Sequence, residues 1–258
     1  MNKSAFGSHL TEAAIAYLRQ IVSPDRVVTG ESELALHARD ESHHEEHKPD
    51  VVIYPLSASE VSQILKFANE KKIPVTPWGA GTSLEANPVP VCGGIILDFA
   101  RMNQIIEIRP EDLQAVVQPG VTRVAFNQRL AKHGLFFPPD PGADCTIGGM
   151  VANNAAGIQA IKYGATKDYV LALEVVLARG EIIKVGNRAM RTSSGYDLVH
   201  LFVGSEGTLG VFTEITLRLA GLPKEVSAAT AACPTLDRAT RAVVQIVQSG
   251  LEPAALEL

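Results

Sequence analysis

The sequence predicts a fold of mixed helix and strand. A strand–helix–strand unit delivers a glycine-rich loop, and later strands return on themselves through tight turns. Two observations carry this. The strand-like run Ile73–Thr76 leads straight into Pro77-Trp-Gly-Ala-Gly-Thr-Ser-Leu-Glu-Ala86, so the loop sits at a strand's end, where α/β units commonly place ligands. Farther on, Leu171–Ala178 and Glu181–Val185 alternate around Arg179-Gly180, a hairpin signal.

The elements follow in order. Glu12–Ile21 reads as a helix with Thr11 as N-cap and an apolar side of Ala13, Ala14, Ala16, Tyr17, Leu18 and Ile21. Ala38–Lys48 is a polar stretch with His43, His44, Glu45, Glu46 and His47. Its spacing matches no zinc site, so a solvated loop is expected rather than a metal centre. Val51–Tyr54 is a strand. Ser57 and Glu60 form a capping-box pair that opens a helix with Val61, Ile64, Leu65 and Ala68 on one face. Gly94–Phe99 reads as a buried strand. Gln104–Ile108 and Leu113–Gln118 pair through the turn at Arg109–Asp112. Thr122 caps a helix running to His133, and Gly134 stops it. Tyr196–Val203 is a short helix and Val211–Leu219 a strand. After Gly221-Leu-Pro223 a second domain opens, with a strand at Val226–Ala232, a helix at Leu236–Val247 and an extended piece at Pro253–Leu258. It breaks off in mid-element, so a fragment of a longer protein is expected, because a half-built sheet leaves backbone groups unpaired.

Composition narrows the function classes. With 258 residues, 46% hydrophobic and 20% charged, the chain can bury a sizeable core in one large or two modest domains. A net charge of -5 argues against nucleic acid as the main partner. Cys92, Cys145 and Cys233 are odd in number, widely spaced and outside any metal or redox motif, which fits a reducing compartment. Met1–Leu10 is polar, without a secretory apolar segment, and no run is long enough to span a bilayer. A cytoplasmic setting is expected.

Three segments point to chemistry. The loop Pro77–Ser83 contains no Lys or Arg, so an anion there must be held by peptide N–H groups and the hydroxyls of Thr82 and Ser83. It is neither the Gly-x-Gly-x-x-Gly fingerprint, since residue 84 is Leu, nor a Walker loop. The second segment, Pro138–Gly157, is Pro-rich and then Gly-rich. Its Thr146-Ile-Gly-Gly149 lets backbone approach a flat or anionic group, a short helix over Met150–Ala156 aims N–H groups at it, and Asn153 and Asn154 add polar side chains. Gly204-Ser-Glu-Gly-Thr-Leu-Gly210 leads into the strand at Val211. Each also has a purely structural reading, as a glycine turn, a small-residue packing motif and a tight helix-to-strand link.

Taken together in order, Trp-Gly-Ala-Gly-Thr-Ser-Leu, Thr-Ile-Gly-Gly-Met-Val-Ala-Asn-Asn-Ala-Ala-Gly, Lys-Tyr-Gly-Ala-Thr-Lys-Asp-Tyr-Val and Ser-Ser-Gly-Tyr-Asp-Leu…Gly-Ser-Glu-Gly-Thr-Leu-Gly resemble the FAD-binding domain of the vanillyl-alcohol-oxidase and p-cresol-methylhydroxylase (PCMH) superfamily, in its D-lactate dehydrogenase and glycolate oxidase branch. The resemblance implies an α+β fold, a two-subdomain PCMH-type FAD-binding domain over residues 49–221. An N-terminal helix and linker (1–48) would precede it, and the truncated start of a cap domain (222–258) would follow. It implies that Gly79, Ala80, Gly81, Thr82 and Ser83 hold the FAD pyrophosphate, with Trp78 also at the cofactor. Pro141, Gly142, Thr146, Gly148, Gly149, Asn153 and Gly157 would line the flavin and its ribityl-diphosphate arm, with Tyr163 nearby. Glu206, Gly210 and Val211 would run along the cofactor. Thr82 stands where some members carry the histidine that attaches FAD covalently, so non-covalent FAD is expected.

The implied reaction is oxidation of a small 2-hydroxy acid such as D-lactate or glycolate to the 2-oxo acid. It needs a hydride acceptor, a base and a cation for the carboxylate. No catalytic residue is assigned here. His133, His200, Arg101 and Arg109 read as packing or solvated groups, and a divalent metal is expected only in a portion beyond Leu258. The alternatives are a non-catalytic flavin-binding module needing a partner chain and, on the same fold, a peptidoglycan-precursor reductase. The electron acceptor and oligomeric state are not legible.

Overall fold

The computed structural model describes residues 10–258, so the polar N-terminal stretch, except for Leu10, lies outside the described residues. Helix α1 (Glu12–Ile21) begins where the Thr11 hydroxyl accepts the Ala14 N–H at 3.2 Å. Its buried residues are Ile15 and Leu18, while Ala13, Ala16 and Tyr17 of the expected apolar side are exposed. Only one narrow stripe of the helix meets the core. After a tight turn at Pro24–Arg26 come β1 (Val27–Val28), α2 (Glu31–Leu36), β2 (Val51–Ile53), α3 (Ala58–Lys71), β3 (Val75–Trp78) and β4 (Ile95–Asp98).

These strands form a sheet in the order β1-β2-β4-β3. β2 and β3 both run parallel to β4, which separates them, and β1 closes the far edge antiparallel. Every β4 residue is buried, as a strand flanked on both sides requires. α3 covers the sheet with Val61, Ile64, Leu65 and Ala68. The Ser57 hydroxyl caps α3 by accepting the Glu60 N–H at 3.2 Å. The reciprocal half of the expected capping box is absent. The Glu60 carboxylate instead takes the Leu56 N–H at 2.8 Å and a two-pronged Arg26 pair at 2.7 and 2.8 Å. A guanidinium outcompetes a neutral amide for a carboxylate. Since β1 pairs with β2 and Ile15, Leu18, Val22 and Val27 enter this core, much of the expected N-terminal linker region is integral to the first unit.

The second unit contains β5 (Ile105–Arg109), β6 (Gln114–Val117), α4 (Arg123–Ala131), β7 (Leu135–Phe136), α5 (Ile147–Asn153), α6 (Ala160–Tyr163), β8 (Val170–Val176), β9 (Ile182–Gly186), α7 (Leu198–Phe202), β10 (Val211–Arg218) and β11 (Ala220–Gly221). Its five-stranded sheet, β5-β6-β10-β8-β9, is antiparallel throughout. β7 and β11 form a separate ribbon. Phe126 and Leu130 of α4, Ile147, Met150 and Val151 of α5, and Val199 and Phe202 of α7 share one core with Leu173, Val175, Ile215 and Leu217. α5 starts three residues before the expected Met150, because Thr146 is its cap.

The two units are fused rather than hinged. Val176 and Val211, at the ends of β8 and β10, belong to the first unit's core, and the Ser62 hydroxyl donates to the Gly180 carbonyl at 2.5 Å. Beyond β11 the expected strand at Val226–Ala232 is irregular and fully exposed, for it has no neighbouring strand to pair with among the described residues. Helix α8 (Leu236–Gln248) forms as expected, capped by Thr235, with none of its residues buried.

Candidate cofactor cleft

A cleft of about 460 Å³ opens between the two units, within the size range of small-molecule sites. The loop after β3 forms one wall, with Trp78, Gly79, Ala80, Gly81, Thr82 and Ser83 all on its surface. The opposite wall is Pro141, Gly142 and the start of α5, with Thr146, Gly148, Gly149 and Asn153. Glu206, Gly210 and Val211 close the end where β10 begins. Three glycine-rich segments far apart in sequence therefore converge on one cavity.

Two of the expected residues lie elsewhere. At Gly157 an added Cβ would sit 2.0 Å from the Asp140 carbonyl oxygen, so this glycine lets two backbone segments touch outside the lining. Tyr163 stacks edge-on against Phe136 at 5.5 Å, packed on the second unit's core.

The glycines also act differently from the expectation that they clear space for a ligand. Gly81 has φ +69°, and its Cβ would lie 2.6 Å from Cζ2 of Trp78. At Gly79 a Cβ would lie 2.4 Å from Thr146 Oγ1, and at Gly148 2.6 Å from Pro119 Cβ. The absent side chain of Gly79 lets the two walls meet, while those of Gly81 and Gly148 let each wall pack on its own neighbours.

Backbone donors separate the two walls. Thr146 caps α5 by accepting the Gly149 N–H at 3.2 Å. Ile147 and Gly148 donate to the carbonyls of Val121 and Pro119, both at 2.8 Å. The first-turn N–H groups expected to face a ligand are thus already used. Across the cleft, the N–H groups of Ala80, Gly81, Thr82 and Ser83 meet no acceptor among the described residues. Successive unpaired N–H groups on a tight loop form an anion-binding concavity. Among the described residues, none that lines the cleft is Lys, Arg or His.

The segment around the expected solvated loop, Ala38–Lys48, braces the glycine loop, a role the sequence reading missed. Asp40 accepts the Ala86 N–H at 2.8 Å, and Glu41 donates its N–H to the Ser83 carbonyl at 3.1 Å. Just before it, buried His37 bonds Asp98 at 2.9 Å through Nε2 and packs on the Trp78 ring at 4.7 Å. Burial alone would depress the His37 pKa, but bonds to Asp98 and to the Glu33 carbonyl raise it. The Asx-type turn at Asp40 and Ser42 is the one local signal that marked this segment as structured. Among the described residues no three or more of His, Cys, Asp and Glu gather as a metal site would need.

Arg101, Arg109 and His200, also singled out in the sequence, are engaged elsewhere. Arg101 stacks on Tyr54 at 5.2 Å and pairs with Asp25, Arg109 pairs with Glu107 and Asp112, and His200 bonds Asp197. Cys145 lines the cleft, where burial pushes its thiol pKa up and keeps it protonated.

Residues 49–186 match the family described as FAD binding domain. The chain is 41% identical over 255 residues to a probable mitochondrial D-lactate dehydrogenase of Danio rerio, covering 95% of this chain and 51% of that protein. It is 39% identical over 250 residues to glycolate oxidase subunit GlcD of Bacillus subtilis, covering 96% and 53%. The chain thus spans about half the length of these curated relatives. Among solved structures it is similar to alkyldihydroxyacetonephosphate synthase, with TM-score 0.82 and 22% identity over 99% of this chain and 49% of that one. It is also similar to p-cresol methylhydroxylase, with TM-score 0.72 and 25% identity over 84% and 45%. The fold is therefore α+β and of the PCMH type.

Proposed function

Since this chain belongs to the FAD-binding domain family, we propose that it forms the cofactor-holding part of a flavin-dependent dehydrogenase that oxidises a small 2-hydroxy acid, D-lactate or glycolate, to the 2-oxo acid. One observation carries the reading. The unpaired N–H groups of Ala80–Ser83 line a cleft without cationic side chains, and a diphosphate is an anion that backbone donors alone can hold. Bound FAD supplies the hydride acceptor. This chain's residues bind and orient it: the loop at Gly79–Ser83 takes the diphosphate, Pro141, Gly142, Thr146, Gly148 and Gly149 face it from the opposite wall, and Glu206, Gly210 and Val211 border its far end. Trp78 and Met150 add apolar surface that excludes water. Attachment is non-covalent, in line with Thr82 in the loop, a lining free of histidine and a protonated Cys145.

Residues 49–221, with the N-terminal elements that pack onto them, are assigned to the cofactor unit and 222–258 to the opening of a substrate-facing unit. The cationic clamp for the substrate carboxylate comes from outside the cleft, since among the described residues its lining has no Lys, Arg or His. The free state of Cys92, Cys145 and Cys233 fits a reducing, cytosolic setting, and among the described residues no helix is long and apolar enough to cross a membrane.

The test begins with the purified chain and FAD. Stoichiometric uptake of yellow flavin supports the site, and a folded chain that never retains flavin refutes it. Bleaching of the flavin by D-lactate or glycolate, scanned over D- and L-hydroxy acids with a redox dye, then reads the activity on the longest reading frame that carries this chain. Stable yellow protein that no hydroxy acid bleaches would favour a binding module that depends on other residues.

A further inference from the structure

The glycine loop and α5 meet across the cleft through three side chains, Ser83, Asn87 and Asn153, all on the lining. Their hydrogen bonds form a closed triangle. The Ser83 hydroxyl donates its single proton to Asn87 Oδ1. Asn87 Nδ2 donates to Asn153 Oδ1 at 3.1 Å. Asn153 Nδ2 lies 3.3 Å from both Ser83 Oγ and Asn87 Oδ1, one proton for each. The Glu85 N–H adds a further donor to Ser83 Oγ at 3.2 Å.

Counting donors changes the roles. A hydroxyl has one proton and a primary amide two. Ser83 has none left. Both Asn153 protons point into the triangle. Asn87 spends one of its two, and the other has no partner among the described residues. Asn87 therefore both ties the two walls together and holds the triangle's one free donor, in a cleft with no cationic side chain.

We propose that Asn87 is a cofactor-binding residue: it locks Ser83 against Asn153 across the cleft and gives its remaining amide N–H to the diphosphate of FAD. The inference rests on the reading of the cleft as the FAD site. It also demotes Ser83 and Asn153 from direct ligands to groups that aim Asn87.

The test uses the full 258-residue chain and FAD, with the dissociation constant taken from quenching of flavin fluorescence and the melting temperature of the FAD-free protein measured alongside. Asn87→Ala removes the donor. It should weaken FAD binding about 10- to 100-fold, the loss of one hydrogen bond to a charged group. Asn87→Asp keeps an acceptor for Ser83 and Asn153 but sets a negative charge against the diphosphate. It should weaken binding roughly tenfold more, and this extra deficit should shrink as pH falls through the ordinary carboxylate range. The FAD-free variants should stay folded and melt only a few degrees lower, the loss of one or two hydrogen bonds at a half-buried side chain. Asn87→Ala binding FAD within twofold of wild type, or Asn87→Asp binding no worse than Asn87→Ala, would overturn the proposal. So would a loss of affinity matched by collapse of the FAD-free fold, which would make Asn87 a prop for the loop. If the unaltered chain itself takes up no FAD, the reading of the cleft falls with it. If it binds and the variants bind equally, only the role of Asn87 falls.

Discussion

Gly81→Ala should destabilise the protein even without cofactor, and Trp78 should be the cause. At φ +69° an L-residue pays for the left-handed conformation, about 1–2 kcal/mol. The new methyl would also stand 2.6 Å from Trp78 Cζ2 and 3.3 Å from Cε2 and Cη2. The indole is held on the faces turned away from the cleft. It is buried with Val52 and Ile96 and lies against His37, itself held by Asp98. Overpacking a fixed site adds about 1–3 kcal/mol. The sum, about 2–5 kcal/mol, corresponds at its middle to a fall of roughly 7–14 °C in melting temperature for a chain of this size. Trp78→Phe deletes the ring atoms that the methyl would strike. In that background Gly81→Ala should cost only the backbone component, so a double-mutant cycle should show about 1–3 kcal/mol of favourable coupling. Urea denaturation of the four FAD-free proteins reads it. Additive effects would refute the reasoning, and would return Gly81 to the role of clearing space for a ligand.

Other perturbations test the surrounding frame. Ala86 is held at φ +59°, so Ala86→Gly should stabilise the chain by about 0.5–1 kcal/mol, measured by chemical denaturation; a destabilised variant would contradict it. Glu60→Ala removes the partner of buried Arg26 and the acceptor for the Leu56 N–H, and should cost about 2–4 kcal/mol, the low side of a buried pair because solvent reaches part of the carboxylate. Burial raises the Glu60 pKa but the Arg26 bonds and the Leu56 N–H lower it further, so its contribution is complete above the ordinary glutamate pKa and is lost as pH falls through the depressed folded value; the Glu60→Ala protein should show a flatter acid limb. His37 titrates with the opposite sign. Its folded pKa is raised, so its stabilisation is complete below the ordinary histidine pKa and is lost as pH climbs through the raised value; an Asp98→Asn protein should lack this loss in a pH series of melts.

The sequence by itself determined what neighbours along the chain decide. Thr11, Ser57 and Thr122 cap helices as expected because a hydroxyl needs only an N–H three residues ahead. The hairpin around Arg179-Gly180 and the glycine loop after β3 are likewise local matters of side-chain alternation and absent Cβ atoms. The three glycine-rich segments were legible too, and the fold brings them to one cleft.

Which groups remain free to act was settled only by the tertiary structure. Glu60 left its capping box for Arg26, 34 residues away. His37 reached Asp98 across 61 residues to fix Trp78. The α5 N–H groups, free by local geometry, were taken up by Pro119, Val121 and the Thr146 cap, while those of Ala80–Ser83 were left open. Each donor and acceptor binds whatever partner the folded chain brings within about 3 Å, and that partner is named by packing between distant segments rather than by any spacing along one of them.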